Sequence, residues 1–222
     1  MPVRPQSDPG SFKVRPLVSA IVATGAGELA ATLSTLDTQS YEQLEVVVAC
    51  DHALDLPGVT VVIFDGNAED RINAAGAEAS GEFLVILQAG DLLDPACVSE
   101  LVGALQQGAD AVYGDEERLG PRGETVARHR KPATLGRETL LSYDVVGAPL
   151  LVRSTLFAEL GGFAAGAAPV AAHDFALRLA ERSSAILHVP AVLLARPIEL
   201  DPDPADATAA TISVVTAAIR RL

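Results

Sequence analysis

The stretch INAAGAEASGEFLVILQAGDLLDP, residues 72–95, decides how the rest of the chain is read. Phe83 to Leu87 is a short, unbroken apolar run, the pattern of a strand buried on both faces. A helical segment from about Ala68 to Ala79 precedes it, and Pro95 is placed at the first turn of a helix running to about Gln107. Outward from this unit the alternation repeats. Leu17–Ala23, Leu44–Ala49 and Val59–Phe64 read as further buried strands, and Glu28–Gln39 reads as a helix. Strands alternating with helices at this spacing predict a mostly parallel central sheet flanked by helices, an α/β fold in a single domain.

The remainder is less regular. From Gly114 to Arg137 the chain is polar and turn-rich, as a hairpin or long loop would be. Apolar strands return at Ala148–Val152 and Ala185–Val189. A last helix from about Ala205 to Leu222 sets Ile212, Val215, Ile219 and Leu222 on one face. Residues 1–15 are rich in Pro, Ser and Gly and are expected to form a flexible leader, with the domain over 16–222.

Composition narrows the function classes. Hydrophobic residues are 49% and charged residues 20%, enough for a sizeable core, and the net charge of −13 repels phosphate backbones. With aromatics at 4% and no Trp, stacking platforms for bases are not expected, so no nucleic-acid partner is predicted. Cys50 and Cys97 suit buried thiols in a reducing cytoplasm, and no His or Cys spacing suits zinc. MPVRPQSDPGSF lacks the apolar run of a signal peptide, and no stretch reaches the length of a membrane span. A cytoplasmic location, or one at the inner face of a membrane, is expected.

Parallel sheets bind ligands at the carboxyl ends of their strands. Here those ends carry Asp51, Asp65 with Asp70, and Asp91 with Asp94. Turns and helix caps also favour Asp, but a nucleotide or metal site would need such a cluster.

The order of segments resembles family 2 glycosyltransferases of the GT-A fold, from about Leu17 to Leu222. LSTLDTQSYEQLEVVVACD is similar to the family's first unit, in which a helix ends in Q-S/T-Y and a strand runs into an acidic pair. Residues 72–95 resemble N-x-G-x-x-x-A-x-G-x-x-x-x-x-L-D-x-D-D-x-x-x-P. ADAVYGDEERLGPRGE resembles D-x-V-Y-x-D-E-x-x-x-x-x-G, and Arg130-Lys131-Pro132 a Lys-Pro of O-antigen and rhamnan-type members. LLVRSTLFAELGGF followed by His173-Asp174 resembles R-R-x-x-x-x-x-x-G-G-F and a following acidic pair.

The resemblance implies transfer of a sugar from a nucleotide-sugar donor to a hydroxyl of a glycan or lipid-linked acceptor. Asp51 would hydrogen-bond the nucleobase, with Asn73, Gln88, Asp91, Arg130 and Lys131 on the donor side. Asp115, Glu116 and His173 would line the acceptor side, and Asp174 would be the base that takes the acceptor proton. The bland alternatives are that Asp174 is a helix N-cap, His173 a loop histidine and Asn73 an interior amide bonded to a loop carbonyl.

Three departures stand against the match. Cys50 replaces the first acid of the nucleobase pair, Gln88-Ala89-Gly90 replaces D-x-D, and Leu194 replaces a His in a V-L-Y-H-W-R-like segment. Hard divalent ions prefer carboxylate oxygens, so Mg²⁺ or Mn²⁺ is expected to bind weakly, through Asp91 at most, or not at all. A cation must then come from elsewhere. Arg118, Arg122, Arg128, Arg130, Lys131 and Arg137 concentrate in one segment and could grip phosphates. They could equally be hairpin charges paired with Glu116, Glu117 and Glu124. The changes also allow a catalytically silent domain that binds a nucleotide, a glycan or a partner enzyme. A nucleotidyltransferase is weaker, for lack of a Gly-rich basic loop.

Overall fold

The computed structural model describes residues 15–221, so all of the expected leader except Arg15 lies outside the described residues. The parallel half forms first in the chain. It comprises β1 (Val18–Ala23), α1 (Leu29–Asp37), β2 (Leu44–Cys50), β3 (Thr60–Ile63), α2 (Ala68–Glu78) and β4 (Phe83–Gln88). Then come β5 (Leu92–Leu93), α3 (Cys97–Leu105), β6 (Ala111–Leu119) and β7 (Thr125–His129). The last part holds α4 (Arg137–Ser142), β8 (Leu150–Arg153), α5 (Ser154–Glu159), α6 (Ala171–Arg182), β9 (Ile186–Pro197) and α7 (Pro204–Arg220).

Nine strands form one sheet in the order β3-β2-β1-β4-β8-β6-β9-β5, with β7 paired to β6. β3, β2, β1 and β4 pair in parallel, as do β6 and β9. β8 lies antiparallel between β4 and β6. Two reversals restore direction, so β6 and β9 point the same way as β1 to β4. Six strand ends therefore open on one edge, and a single reversed strand in the middle does not divide it.

Strand alternation sends side chains to two faces. In β1, Val18, Ala20 and Val22 join Leu87, Leu101 and Leu151 on the face covered by α1 and α3. Ile21 and Ala23 join Ile72, Phe157, Phe175 and Leu179 on the other, under α2, α5 and α6. Both faces are dry, which is why the strands read as continuous apolar runs.

The Q-S-Y triplet proves to be a clasp. Gln39 Nε2 donates to Asp94 O (2.9 Å), its Oε1 accepts from Val98 N, and Ser40 and Ser99 hydroxyls meet at 2.9 Å. It ties the end of α1 to the start of α3. Pro95 precedes α3, which begins at Cys97 after a turn in which Asp94 accepts from Ala96 N. α7 begins with Asp203 capping Ala205 N and Pro204 in the first turn.

The face expected on α7 is corrected: Val214 and Ala218 are its buried residues, while Ile212 and Ile219 are 64% and 53% exposed. α7 packs on α6 through small side chains, and the large apolar residues do not define that contact. Leu222 lies outside the described residues. Among the described residues no helix is long and apolar enough to cross a membrane.

Candidate functional site

The co-directional strands bring four groups of expected site residues to one edge. Asp51 follows β2, Gln88 ends β4, and Asp91 lies just beyond it. Asp115 and Glu116 stand in the upper half of β6, where β8 has ended and β7 begins to pair while β9 runs along the other side. α6 descends into β9, which starts at the amino edge, so its first turn with His173 and Asp174 also sits at the carboxyl edge.

The ends of β1 and β4 touch through glycine. A Cβ on Gly27 would lie 1.9 Å from the Ala89 carbonyl oxygen, so this approach requires the missing side chain. Gly90, at φ +96°, donates its N–H to Thr32 Oγ1 and is covered from outside by Leu200.

At the expected nucleobase position Asp51 is open, its side chain 54% exposed, with His52 Nδ1 at 2.6 Å and Arg71 Nη1 at 3.4 Å. The His52 hydrogen bond, helped by the backbone, holds its carboxyl below the ordinary range. Cys50 is buried and donates its thiol to His52 O, so it shapes this turn from within.

At the D-x-D position only Gln88 faces solvent, and its amide has no partner among the described residues. Asp91 is fully buried, and both of its oxygens are taken. Arg196 Nε donates to Oδ1 at 2.6 Å, and Nη2 donates to Oδ2 at 2.8 Å. Gln88 N donates to Oδ2 at 2.9 Å. Burial works against the charge of Arg196, yet the Asp91 hydrogen bond and charge, with those of Glu116 and Asp201, hold the guanidinium above its ordinary pKa. The donors left for Mg²⁺ or Mn²⁺ are one neutral amide oxygen and backbone. That set does not fit a hard divalent ion, and among the described residues no group of three or more His, Cys, Asp or Glu could hold a metal.

On the expected acceptor side Asp115 Oδ1 accepts from Lys131 N (2.9 Å) and meets His188 Nε2 at 2.7 Å, while Tyr113 stacks on His188 and donates to Pro132 O. Glu116 lies between Lys131 and Arg118. The Arg-Lys-Pro segment is thereby fastened along β6. Lys131 is buried, with Nζ donating to Val146 O and Ala148 O, and burial lowers its pKa to about 8. It cannot reach a phosphate from there.

Part of the arginine concentration is the paired hairpin, Arg128 with Glu117 and Arg122 with Glu124, while Arg118 lies 3.4 Å from Glu116 but makes its close pair with Asp201, at 2.7 Å, outside the hairpin. Arg137 pairs with Glu181 on α6. Arg130 alone of the group is exposed without a partner among the described residues.

Asp174 does not cap α6. The helix starts three residues earlier, at Ala171, and Asp174 lies in its first turn. Its Oδ2 accepts from Arg178 one helical turn on, at 2.7–2.8 Å, and Arg178 also donates to Leu160 O and Gly162 O. Oδ1 has no partner among the described residues and is not sealed, as the side chain keeps 7% exposure. His173 is buried, not a loop residue. Its Nε2 meets Leu140 O at 2.7 Å, and a carbonyl only accepts, so that nitrogen carries the proton. Nδ1 is left as a buried acceptor with no partner. Asn73 behaves as the interior amide: Nδ2 donates to Phe163 O and Oδ1 accepts from Phe163 N, which uses both ends. The residue that sequence reasoning missed is Arg196.

No family model matches the chain. Over 127 residues it is 32% identical to the O-antigen biosynthesis protein RfbC of Myxococcus xanthus, covering 56% of this chain and 10% of RfbC. Over 187 residues it is 26% identical to the uncharacterized protein y4gI of Sinorhizobium fredii, covering 75% of this chain and 20% of that one. The chain thus spans a fifth or less of these relatives. Among solved structures, S. aureus TarS residues 1–349 superimposes with a TM-score of 0.69 at 15% identity, over 91% of this chain and 65% of that one. The same TarS fragment in complex with UDP gives 0.70, and with UDP-GlcNAc 0.68. The chain has the GT-A fold shared with TarS, and its resemblance to glycosyltransferases of the O-antigen type is supported in sequence by RfbC.

Proposed function

We propose that this chain is a glycosyltransferase that moves a sugar from a nucleotide-sugar donor to a hydroxyl of a glycan or lipid-linked acceptor, in polysaccharide or glycoconjugate assembly. The observation that carries it is the gathering of Asp51, Gln88, Asp115 and the His173–Asp174 pair on one carboxyl edge of a GT-A sheet. TarS, which shares that sheet, is seen with UDP and UDP-GlcNAc.

Asp51 receives the nucleobase. Asp174 is the base. Arg178 orients its carboxylate through Oδ2, leaving Oδ1 to accept the proton. As the acceptor oxygen bonds to the anomeric carbon, the bond from that carbon to the phosphate oxygen breaks, and the nucleoside diphosphate leaves with the electron pair. No step passes through a metal, since the donor set at Gln88–Asp91 does not suit one.

The second reading, a silent domain that binds nucleotide or glycan, is favoured by Leu200 lying over Gly90, where a donor's phosphates would pass. Turnover of a panel of UDP-, GDP- and dTDP-sugars, with extracted glycans as acceptors, separates the two. Asp174→Asn is expected to abolish transfer and leave donor affinity within about twofold. Full turnover in that variant removes Asp174 as base, and nucleotide binding with no turnover of any donor favours the silent domain.

A further inference from the structure

Arg118 and Arg196 stand directly opposite each other in the β6–β9 register, roughly 5 Å apart along the hydrogen-bonding direction. Both are largely buried, with 12% and 15% of their side chains exposed. Arg196 commits Nε and Nη2 to Asp91, and its Nη1 has no acceptor among the described residues. Arg118 is less satisfied still. Only Nε makes a hydrogen bond, shared by the two oxygens of Asp201 at 2.7 and 3.0 Å. Its Nη1 is buried with no hydrogen-bond partner, 3.4 Å from Glu116 Oε2 but misaligned. A guanidinium has five N–H donors, so this pair leaves an unusual number unused beside the D-x-D position.

Asp201 comes from the segment after β9. A single 3₁₀ turn, Ile198–Leu200, lays Leu200 on Gly90 and delivers Asp201 to Arg118. The chain then continues past Pro202 and Asp203, which share a groove with Ala168 and Pro169, just ahead of α6. The segment thus crosses the edge from Gly90 towards the Asp174 turn.

We propose that Arg118 and Arg196 form a metal-independent site for the diphosphate of the donor, occupied in this state by the Asp201 carboxylate. The proposal rests on the nucleotide-sugar reading for its ligand. A carboxylate and a phosphate present similar oxygens to a guanidinium, but a diphosphate brings more of them and more charge. It satisfies Nη1 of both arginines, which Asp201 does not. Donor entry lifts Asp201 and Leu200 together. The resident carboxylate makes donor binding weaker by the fraction of molecules in which the segment is open.

The test is calorimetric titration of inorganic pyrophosphate and of UDP, each in EDTA and in Mn²⁺, on the whole chain. Asp201→Asn keeps the side-chain shape, Asp201→Ala removes it, and circular dichroism confirms that each is folded. Both are expected to bind pyrophosphate about tenfold more tightly than the parent, and adding Arg118→Gln to Asp201→Asn is expected to cancel the gain. Equal binding by parent and Asp201 variants, or a gain that survives Arg118→Gln, overturns the proposal. UDP binding that requires Mn²⁺ and ignores both residues overturns it too, while leaving the proposed function standing. If pyrophosphate follows the expected order and no nucleotide binds, the anion site holds and the nucleotide-sugar reading falls.

Discussion

Removing the Asp91 carboxylate tests whether it serves the scaffold or the substrate. Asp91→Ala leaves Gln88 N without its acceptor, which costs about 1–3 kcal/mol for a buried donor. It also strips Arg196 of its counter-ion. A fully buried charge left unpaired costs about 3–5 kcal/mol, but Arg196 keeps 15% exposure and a free Nη1, so the lower end applies. A total of about 4–6 kcal/mol follows, a fall of at least roughly 10 °C in Tm for a domain of this size. Arg196→Met is harsher, since Asp91 has no exposure through which to recover hydration. The double variant, which buries no lone charge, should be more stable than the sum of the singles by about 2 kcal/mol or more. Urea denaturation with and without UDP reads all four proteins. If Asp91→Ala is within about 0.5 kcal/mol of the parent and the coupling vanishes, the pair does not hold this turn together, and the description of Arg196 as a cation fixed in place is wrong.

Other perturbations follow from the same contacts. Asn73→Ala unpairs both Phe163 N and Phe163 O, so a loss of about 2 kcal/mol is expected by thermal denaturation; a neutral outcome would mean water replaces the amide. Lys131 falls from its ordinary 10.5 to about 8 in the fold. Below pH 8 both states are protonated and the cost of burying the charge is fully present. Between pH 8 and 10.5 the unfolded chain holds the extra proton, so stability rises with pH. Relative to Lys131→Met, the parent should gain about 3 kcal/mol across that window, and a flat difference in urea titrations at pH 7.5, 9 and 10.5 would contradict it.

Much of the fold was legible because its strands are buried on both faces. Val18–Ala23, Leu44–Cys50 and Phe83–Gln88 lie within a residue of their expected bounds, since unbroken apolar runs have few other uses. β9 runs well beyond the Ala185–Val189 that the sequence suggests. Pro190 interrupts the apolar run at the point where the ladder slips from Gly114↔Val189 to Asp115↔Val192, and the strand resumes to Pro197 beyond that bulge. An N-cap at Asp174 fits the sequence because Asp is a common cap, yet the helix starts at Ala171, after the turn that follows Ala168-Pro169. The site was harder to read, for a physical reason. Asp91 and Arg196 are 105 residues apart and meet only because β5 pairs with β9. Local density of arginine pointed to the hairpin, where neighbouring glutamates neutralise it. The isolated arginine, on a strand whose partner could not be named from sequence, is the one placed beside β4.

The three departures from the family pattern bear on each other. Cys50 is packed to 0% exposure with its thiol bonded to His52 O, Leu194 is buried opposite Leu93, and Gly90 accepts Leu200 against it. Carboxylates lost by neglect would leave gaps around the D-x-D position. Instead the turn is filled by apolar side chains and closed by the Asp91–Arg196 pair. Among the described residues only two buried side-chain atoms lack a hydrogen bond, Arg118 Nη1 and His173 Nδ1. Each lies on an element that opens at the carboxyl edge, one beside the D-x-D position and one next to Asp174. A buried polar group without a partner costs free energy that a purely structural domain gains nothing by keeping. Their placement at the two ends of the proposed donor–acceptor path is where ligand oxygens and hydroxyls would satisfy them.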